Sequence, residues 1–206
     1  MSPLFATPRA ARIVLILRAV IAAVAALVVT FVQDRTGDFG LAVLQMFALA
    51  TAVLFFADSV LVRERRDATT SRVLGAIHLL AGALCQLIPA DPALAFHWIL
   101  IGWAAAAGAV ELVAGIAGRR ARATAESRDR ITVGGLTLLL AAVSLVVSPQ
   151  YALDYFIEEA GREFTLTGTI LGVGLFGGWA AIVAVYLAIG GFSPTPQKTP
   201  HTKDAA

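Results

Sequence analysis

Residues 40–62 read GLAVLQMFALATAVLFFADSVLV, with Asp58 as the single charged side chain. As a helix rising about 1.5 Å per residue, this run is about 34 Å long, enough to cross a hydrocarbon core of about 30 Å. Five other blocks qualify in the same way: roughly 12–32, 73–89, 93–117, 131–148 and 166–190. Turn and charge signals separate the blocks at 33–38, 63–72, 89–92, 118–130 and 149–165. The continuous Ala/Leu/Val runs do not alternate as the strands of a membrane β-barrel would. The sequence therefore predicts an all-α membrane protein with six transmembrane helices.

Composition points the same way. The 206 residues are 58% apolar and 15% charged, with mean hydropathy +0.80; soluble domains average about 45–50% and about 25%. That gap excludes a disordered tail, a nucleic-acid binder, a disulfide scaffold and most soluble enzymes. The formal net charge of +2 gives no reason to expect a nucleic-acid partner. Fourteen of the 16 basic residues are Arg and Ala is abundant, a bias that suggests a GC-rich bacterial genome. Cys85, the only cysteine, lies inside an apolar run, so it forms no intramolecular disulfide and no thiolate metal cluster. It reads as a small packing residue.

Basic residues set the expected orientation. Arg9 and Arg12, Arg63, Arg65, Arg66 and Arg72, Arg119, Arg120, Arg122, Arg128 and Arg130, and Lys198 and Lys203 fall at the N-terminus, the second and fourth loops and the C-terminus. The other three loops hold only Arg35 and Arg162, beside Asp34, Asp38, Asp91, Asp154, Glu158, Glu159 and Glu163. The positive-inside bias predicts that both termini are cytoplasmic. Arg9 and Arg12 before the first apolar block resemble the start of a signal peptide. No polar Ala-x-Ala site follows the block, so it is expected to stay as a signal anchor.

The chain divides into an N-terminus (1–11), a six-span domain (12–192) and a proline-bearing tail (193–206) expected to be disordered. Residues 151–160 carry Tyr151, Tyr155 and Phe156 beside Asp154 and Glu158. They read either as a short interfacial helix or as an irregular loop with interfacial aromatics. Within the domain the spans form three hairpins, 12–66, 72–122 and 130–192. Sliding the chain by sixty residues lays Gly75, Gly82 and Pro89 on Gly135, Ala142 and Pro149. The first hairpin has Leu15, Ala22 and Val29 at these places, so it has diverged. Three helical-hairpin repeats are the expected architecture.

The second hairpin carries a resemblance. Arg72-Val-Leu-Gly75, then Gly82, Pro89, Gly102, Gly108-Ala-Val-Glu-Leu112 and Arg119-Arg120, resembles the short-repeat bacterial membrane proteins related to HdeD, an acid-resistance membrane protein. It covers the second hairpin well, the first half of the third in part, and the first in outline. The resemblance implies six spans in three repeats, an inner-membrane location and a role in acid or envelope stress; it transfers no catalytic residue.

Four ionisable residues fall inside the spans: Arg18, Asp58, His78 and Glu111. Counted from Arg12, Arg63, Arg72 and Arg119, all four lie roughly 7–12 Å inside the cytoplasmic boundary. Charges there are costly and mark function by default. The functional reading is a buried network in which Arg18 neutralises Asp58 or Glu111 and His78 takes up protons near neutral pH. The structural reading lets Arg18 and Asp58 snorkel, makes the Arg–carboxylate pair a helix tie, and gives His78 a carbonyl or hydroxyl partner.

In the last span, Gly168-x-x-x-Gly172 and Gly174-x-x-x-Gly178 predict close helix packing, either against another hairpin or in a homo-oligomer. Trp98 reads as an interfacial anchor, and Trp103 and Trp179 as packing residues. No zincin, nucleophile-elbow or paired-cysteine motif is present, and His78, His97 and His201 are scattered. No cofactor or metal is expected, the longest loop is too short for a catalytic domain, and an enzyme is not expected. The bilayer is the expected partner, with a homo-oligomer as the alternative use of the glycine faces and no small-molecule or ion substrate identified. Two functional expectations follow. One is a non-enzymatic HdeD-like protein of acid or envelope tolerance. The other is a small transporter or channel component whose polar layer lines a path.

Overall fold

The computed structural model describes residues 8–61, 65–87, 91–121, 125–158 and 161–193. Six helices occupy the expected blocks: α1 (Pro8–Phe31), α2 (Gly37–Leu61), α3 (Arg65–Gln86), α4 (Pro92–Ala121), α5 (Ala125–Val146) and α6 (Gly168–Phe192). Each is long and apolar enough to cross a membrane, which makes the chain a multi-pass membrane protein. Along α1, Ile13, Leu17, Val20, Val24 and Leu27 form an exposed stripe at helical spacing. In a bilayer that stripe faces acyl chains, whereas Ala19, Ala22, Ala26 and Val29 turn inward.

Helix ends carry local signals. Asp91 precedes Pro92 and its Oδ1 accepts from Ala93 N and Leu94 N, both at 3.0 Å. Thr167 caps α6 by accepting from Ile170 N. On the Arg-rich face the helices run further than hydropathy suggested: α3 begins at Arg65 and α5 at Ala125. Arg, Ala and Glu favour the helix, and continuing it satisfies backbone groups that a break near the membrane would orphan. Residues 125–130, expected as loop, are thus part of α5.

Packing follows glycine rather than the hairpins. The most extensive helix contacts are α4 with α5, α2 with α3 and α1 with α6, whereas α1–α2, α3–α4 and α5–α6 are looser. Gly75 lies against the Phe56 ring and Gly82 against Leu49, joining α3 to α2. Between α4 and α5 the backbones themselves meet: a Cβ on Gly134 would lie 2.6 Å from Leu112 N, and one on Gly115 2.8 Å from Ile131 N. In the third pair Gly177 seats Val29 and Gly191 seats Ile16. Chain ends lock that pair where Arg12 donates to Ser193 O at 2.6 Å.

The segment expected as an interfacial helix or loop is instead a β-hairpin. Strands β1 (Ala152–Ile157) and β2 (Arg162–Thr167) are antiparallel, with Leu153 opposite Leu166 and Tyr155 opposite Phe164. Gly161 supplies the positive φ of 62° in the connection. Tyr155 stacks on Phe164 at 6.0 Å, Arg162 lies over the Phe164 ring, and Thr165 donates to Asp154 at 2.6 Å. The cross-strand Tyr155–Phe164 and Asp154–Thr165 pairs favour strands over a helix. Trp98 is exposed near the start of α4, whereas Trp103 and Trp179 are buried. Apart from Ser193, which ends α6, the 193–206 tail lies outside the described residues.

Candidate functional site: a central polar layer

All six helices converge on one small cavity of about 30 Å³ near the middle of the bundle. Arg18 comes from α1, Thr51 from α2, His78 from α3, Glu111 from α4, Thr137 from α5 and Trp179 from α6. Glu111 is placed by the glycine seam, since a Cβ on Gly134 would be 3.1 Å from its Cβ. The seam is also what brings α5 close enough for Thr137 to face the same space.

Of the four ionisable residues noted in the spans, Arg18, His78 and Glu111 line this cavity, and Asp58 lies one step toward the Arg-rich face. The Arg18 guanidinium pairs with Glu111 Oε1 and also lies 4.9 Å over the Phe55 ring. Asp58, 1% exposed, accepts from Ser71 Oγ at 2.6 Å. His78 Nδ1 lies 2.8 Å from Leu74 O. The carbonyl can only accept, so in the neutral ring Nδ1 carries the hydrogen and Nε2 the lone pair.

Several members of the layer were hidden in the sequence. Asp129, in the segment read as loop, is half-buried and accepts from the Tyr186 hydroxyl at 3.1 Å; that hydroxyl also lies 3.2 Å from Thr132 Oγ1. A second cavity of about 20 Å³ opens below the Arg18–Glu111 pair, with Asp58, Ser71, Glu126, Asp129 and Arg130 in its wall. Arg130 and Glu126 are themselves paired at 2.8 Å. Counting both cavity walls, four carboxylates face two guanidiniums, an acidic pocket beneath an otherwise Arg-rich surface.

Toward the opposite face the centre turns aromatic. Phe47, Trp103 and Trp179, one each from α2, α4 and α6, form a triangle with ring separations of 5.5, 5.5 and 5.2 Å. Each pair meets edge to face at 80–87°, the arrangement ring quadrupoles favour. Beyond the triangle Leu44, Phe96, Leu100, Val173 and Phe176 are fully buried and close the bundle.

The glycines divide. Gly75 and Gly82 lie at the α2–α3 contact, Gly168 against Ser148 O and Gly172 against the Phe96 ring. Gly174 and Gly178 meet nothing inside the chain and line an apolar groove of about 470 Å³ between α5 and α6. The packing expected of them within one chain is absent because their helix face points out of the bundle. Among the described residues no cluster of three His, Cys, Asp or Glu suited to a metal occurs.

Comparison with protein-family models, curated proteins and solved structures returns no match.

Proposed function

We propose that this chain is a non-enzymatic protein of a bacterial plasma membrane whose central polar layer is ion- or proton-linked and faces the cytoplasm. The observation that carries this reading is the Arg18–Glu111 pair, buried where six helices meet and flanked on both sides by cavities with polar walls. A pair serving only to tie α1 to α4 needs neither cavity, and buried ion pairs are weak sources of stability in themselves. The spaces hold water or a small ion and nothing larger, which argues against a solute transporter. Continuous helices argue the same way, since transporter sites are built at helices broken near the midplane. The cytoplasmic assignment rests on the Arg-rich face.

The acid- or envelope-tolerance role belongs to the same proposal and rests on the HdeD resemblance of the second hairpin; a protonatable layer open to the cytoplasm is a fitting device for it. The three-repeat reading draws support from the aromatic triangle, to which the second helix of each hairpin contributes one ring. A homo-oligomer, if formed, would use the open α6 face.

The deciding experiment is reconstitution in liposomes with a pH jump on the Arg-rich side and a pH-sensitive dye. Proton uptake by the wild type, absent in Glu111→Gln, is the expected result. Uptake unchanged in that variant overturns the reading. A deletion strain surviving acid shock as well as its parent would remove the stress role.

A further inference from the structure

The central cavity holds more hydrogen-bonding capacity than its walls use. Thr51 Oγ1 and Trp103 Nε1 have no partner among the described residues, although both residues are 4% exposed and line the cavity. Such groups are costly inside a membrane unless something polar meets them. Thr137 differs, since it donates to Val133 O at 2.7 Å and accepts from Trp179 Nε1 at 3.2 Å. What remains is one N–H donor on Trp103, one hydroxyl on Thr51 and the Nε2 lone pair of His78. An anion has no use for the lone pair, and a metal cation has none for the N–H. Water uses all three, and one molecule needs only about 10–15 Å³ of the 30 Å³ there.

We propose that this chamber is a hydrated proton site entered from the Arg-rich face only. One or two water molecules accept from Trp103, exchange with Thr51 and donate to His78. The Arg18–Glu111 pair is the inner gate, and the Phe47–Trp103–Trp179 triangle is the closed end. The site therefore samples acidity on one side of the membrane and does not conduct. Its use rests on the proton-linked reading above, while its existence does not.

The proton balance is simple. The Glu111 carboxylate takes a proton from hydronium that enters the lower cavity from the Arg-rich face, leaving water there, and loosens from Arg18. The neutral acid passes that proton to the chamber water, which releases one to His78 Nε2. Glu111 and the water are restored, and the imidazolium keeps its Nδ1–H on Leu74 O. The charged neighbours of this step are Arg18 from α1, Asp58 from α2 and Glu111 from α4. α5 and α6 offer Thr137 and Trp179 at that depth, with Glu126, Asp129, Arg130 and Tyr186 nearer the Arg-rich face.

The test uses the full chain with Cys85→Ala and Thr51→Cys in vesicles of known orientation. Silver ion, no larger than water, is added to one face, and protection of the thiol is read by maleimide labelling after denaturation. Reaction should be at least about tenfold faster from the Arg-rich face, the ratio given by a barrier difference of about 1.4 kcal/mol. Ala107→Cys, on the same cavity wall, should behave alike, and Leu44→Cys, fully buried beyond the triangle, should react from neither face. A chamber inert from both faces, or equally reactive from both, or faster from the opposite face, overturns the proposal. One-sided reaction together with proton uptake unchanged in Glu111→Gln would leave the chamber standing and fell the functional reading. Uptake lost in Glu111→Gln with an inert chamber would do the reverse.

Discussion

On its α4 side, α5 presents Gly134 to Leu112 and Gly108, and the two backbones come together. On its α6 side it presents Thr137, which holds Trp179 by one hydrogen bond, and Asp129 and Thr132, which share the Tyr186 hydroxyl. The first flank is filled by main chain; the second is pinned toward its Arg-rich end and leaves the groove above it open. Small residues line both flanks, yet only the first is a packed interface. A glycine stripe permits close approach; whether approach happens depends on a second stripe opposite. Gly108 and Gly115 answer Gly134, whereas nothing answers Gly174 and Gly178. The packed flank also holds Glu111 in place, so the rigid side of α5 carries the site.

Substitutions can break this contrast in a graded way. The largest effect is expected where the seam delivers its charge. Glu111→Ala leaves Arg18 buried without its carboxylate and should cost about 3–5 kcal/mol, read by SDS-titration unfolding in mixed micelles. Adding Arg18→Leu should recover most of that loss, and failure to recover would show that the pair is not the coupled unit. Next comes the seam itself. Gly134→Ala drives a Cβ into Leu112 N and should cost about 1–3 kcal/mol, together with weaker proton uptake as Glu111 shifts. The pinned flank should yield less: Tyr186→Phe removes the hydroxyl that meets Asp129 and Thr132, each such interhelical hydrogen bond being worth about 0.6 kcal/mol in a membrane protein. Smallest, and opposite in sign, is Gly174→Ala. Its new Cβ meets open space, and Ala is favoured over Gly in a helix by up to about 1 kcal/mol. A large loss at Gly174 would mean that the groove is filled by something, and crosslinking across α6 would tell whether a second copy is there.

Spans were legible because hydrocarbon imposes a length and polarity that no neighbour can override. Pairing was not, since a helix reveals its own glycines and not the residues that will face them. Gly75 and Gly82 were readable as packing positions, but their partners Phe56 and Leu49 belong to the preceding hairpin. Arg18, Asp58, His78 and Glu111 stood out as costly residues in apolar surroundings. Asp129 escaped because it lies among Arg128, Arg130 and Glu126 in a segment that resembles a solvated link. Thr51 and Trp103 escaped because hydroxyls and indoles are unremarkable in a span until their partners are counted. The β-hairpin had a signal: two six-residue runs rich in aromatic and β-branched residues, divided by residues that include Gly161. Tyr151 and Tyr155 beside acidic residues suggested a membrane interface and masked it.

The α1–α6 pair has a consequence for how the molecule is made. The other two tight pairs are joined by short links and can close as soon as both helices are inserted. α1 is synthesised first, yet its glycine-bearing partner arrives last, with Arg12 and Ser193 separated by 181 positions. Until then the side of α1 that α6 covers, with Ile16 and Val29 on it, faces lipid. Insertion of α6 is therefore the step that shuts the ring, and a ribosome stalled before α6 would leave a five-helix intermediate in which Arg18 already has Glu111 but the α6-facing side of α1 is still bare.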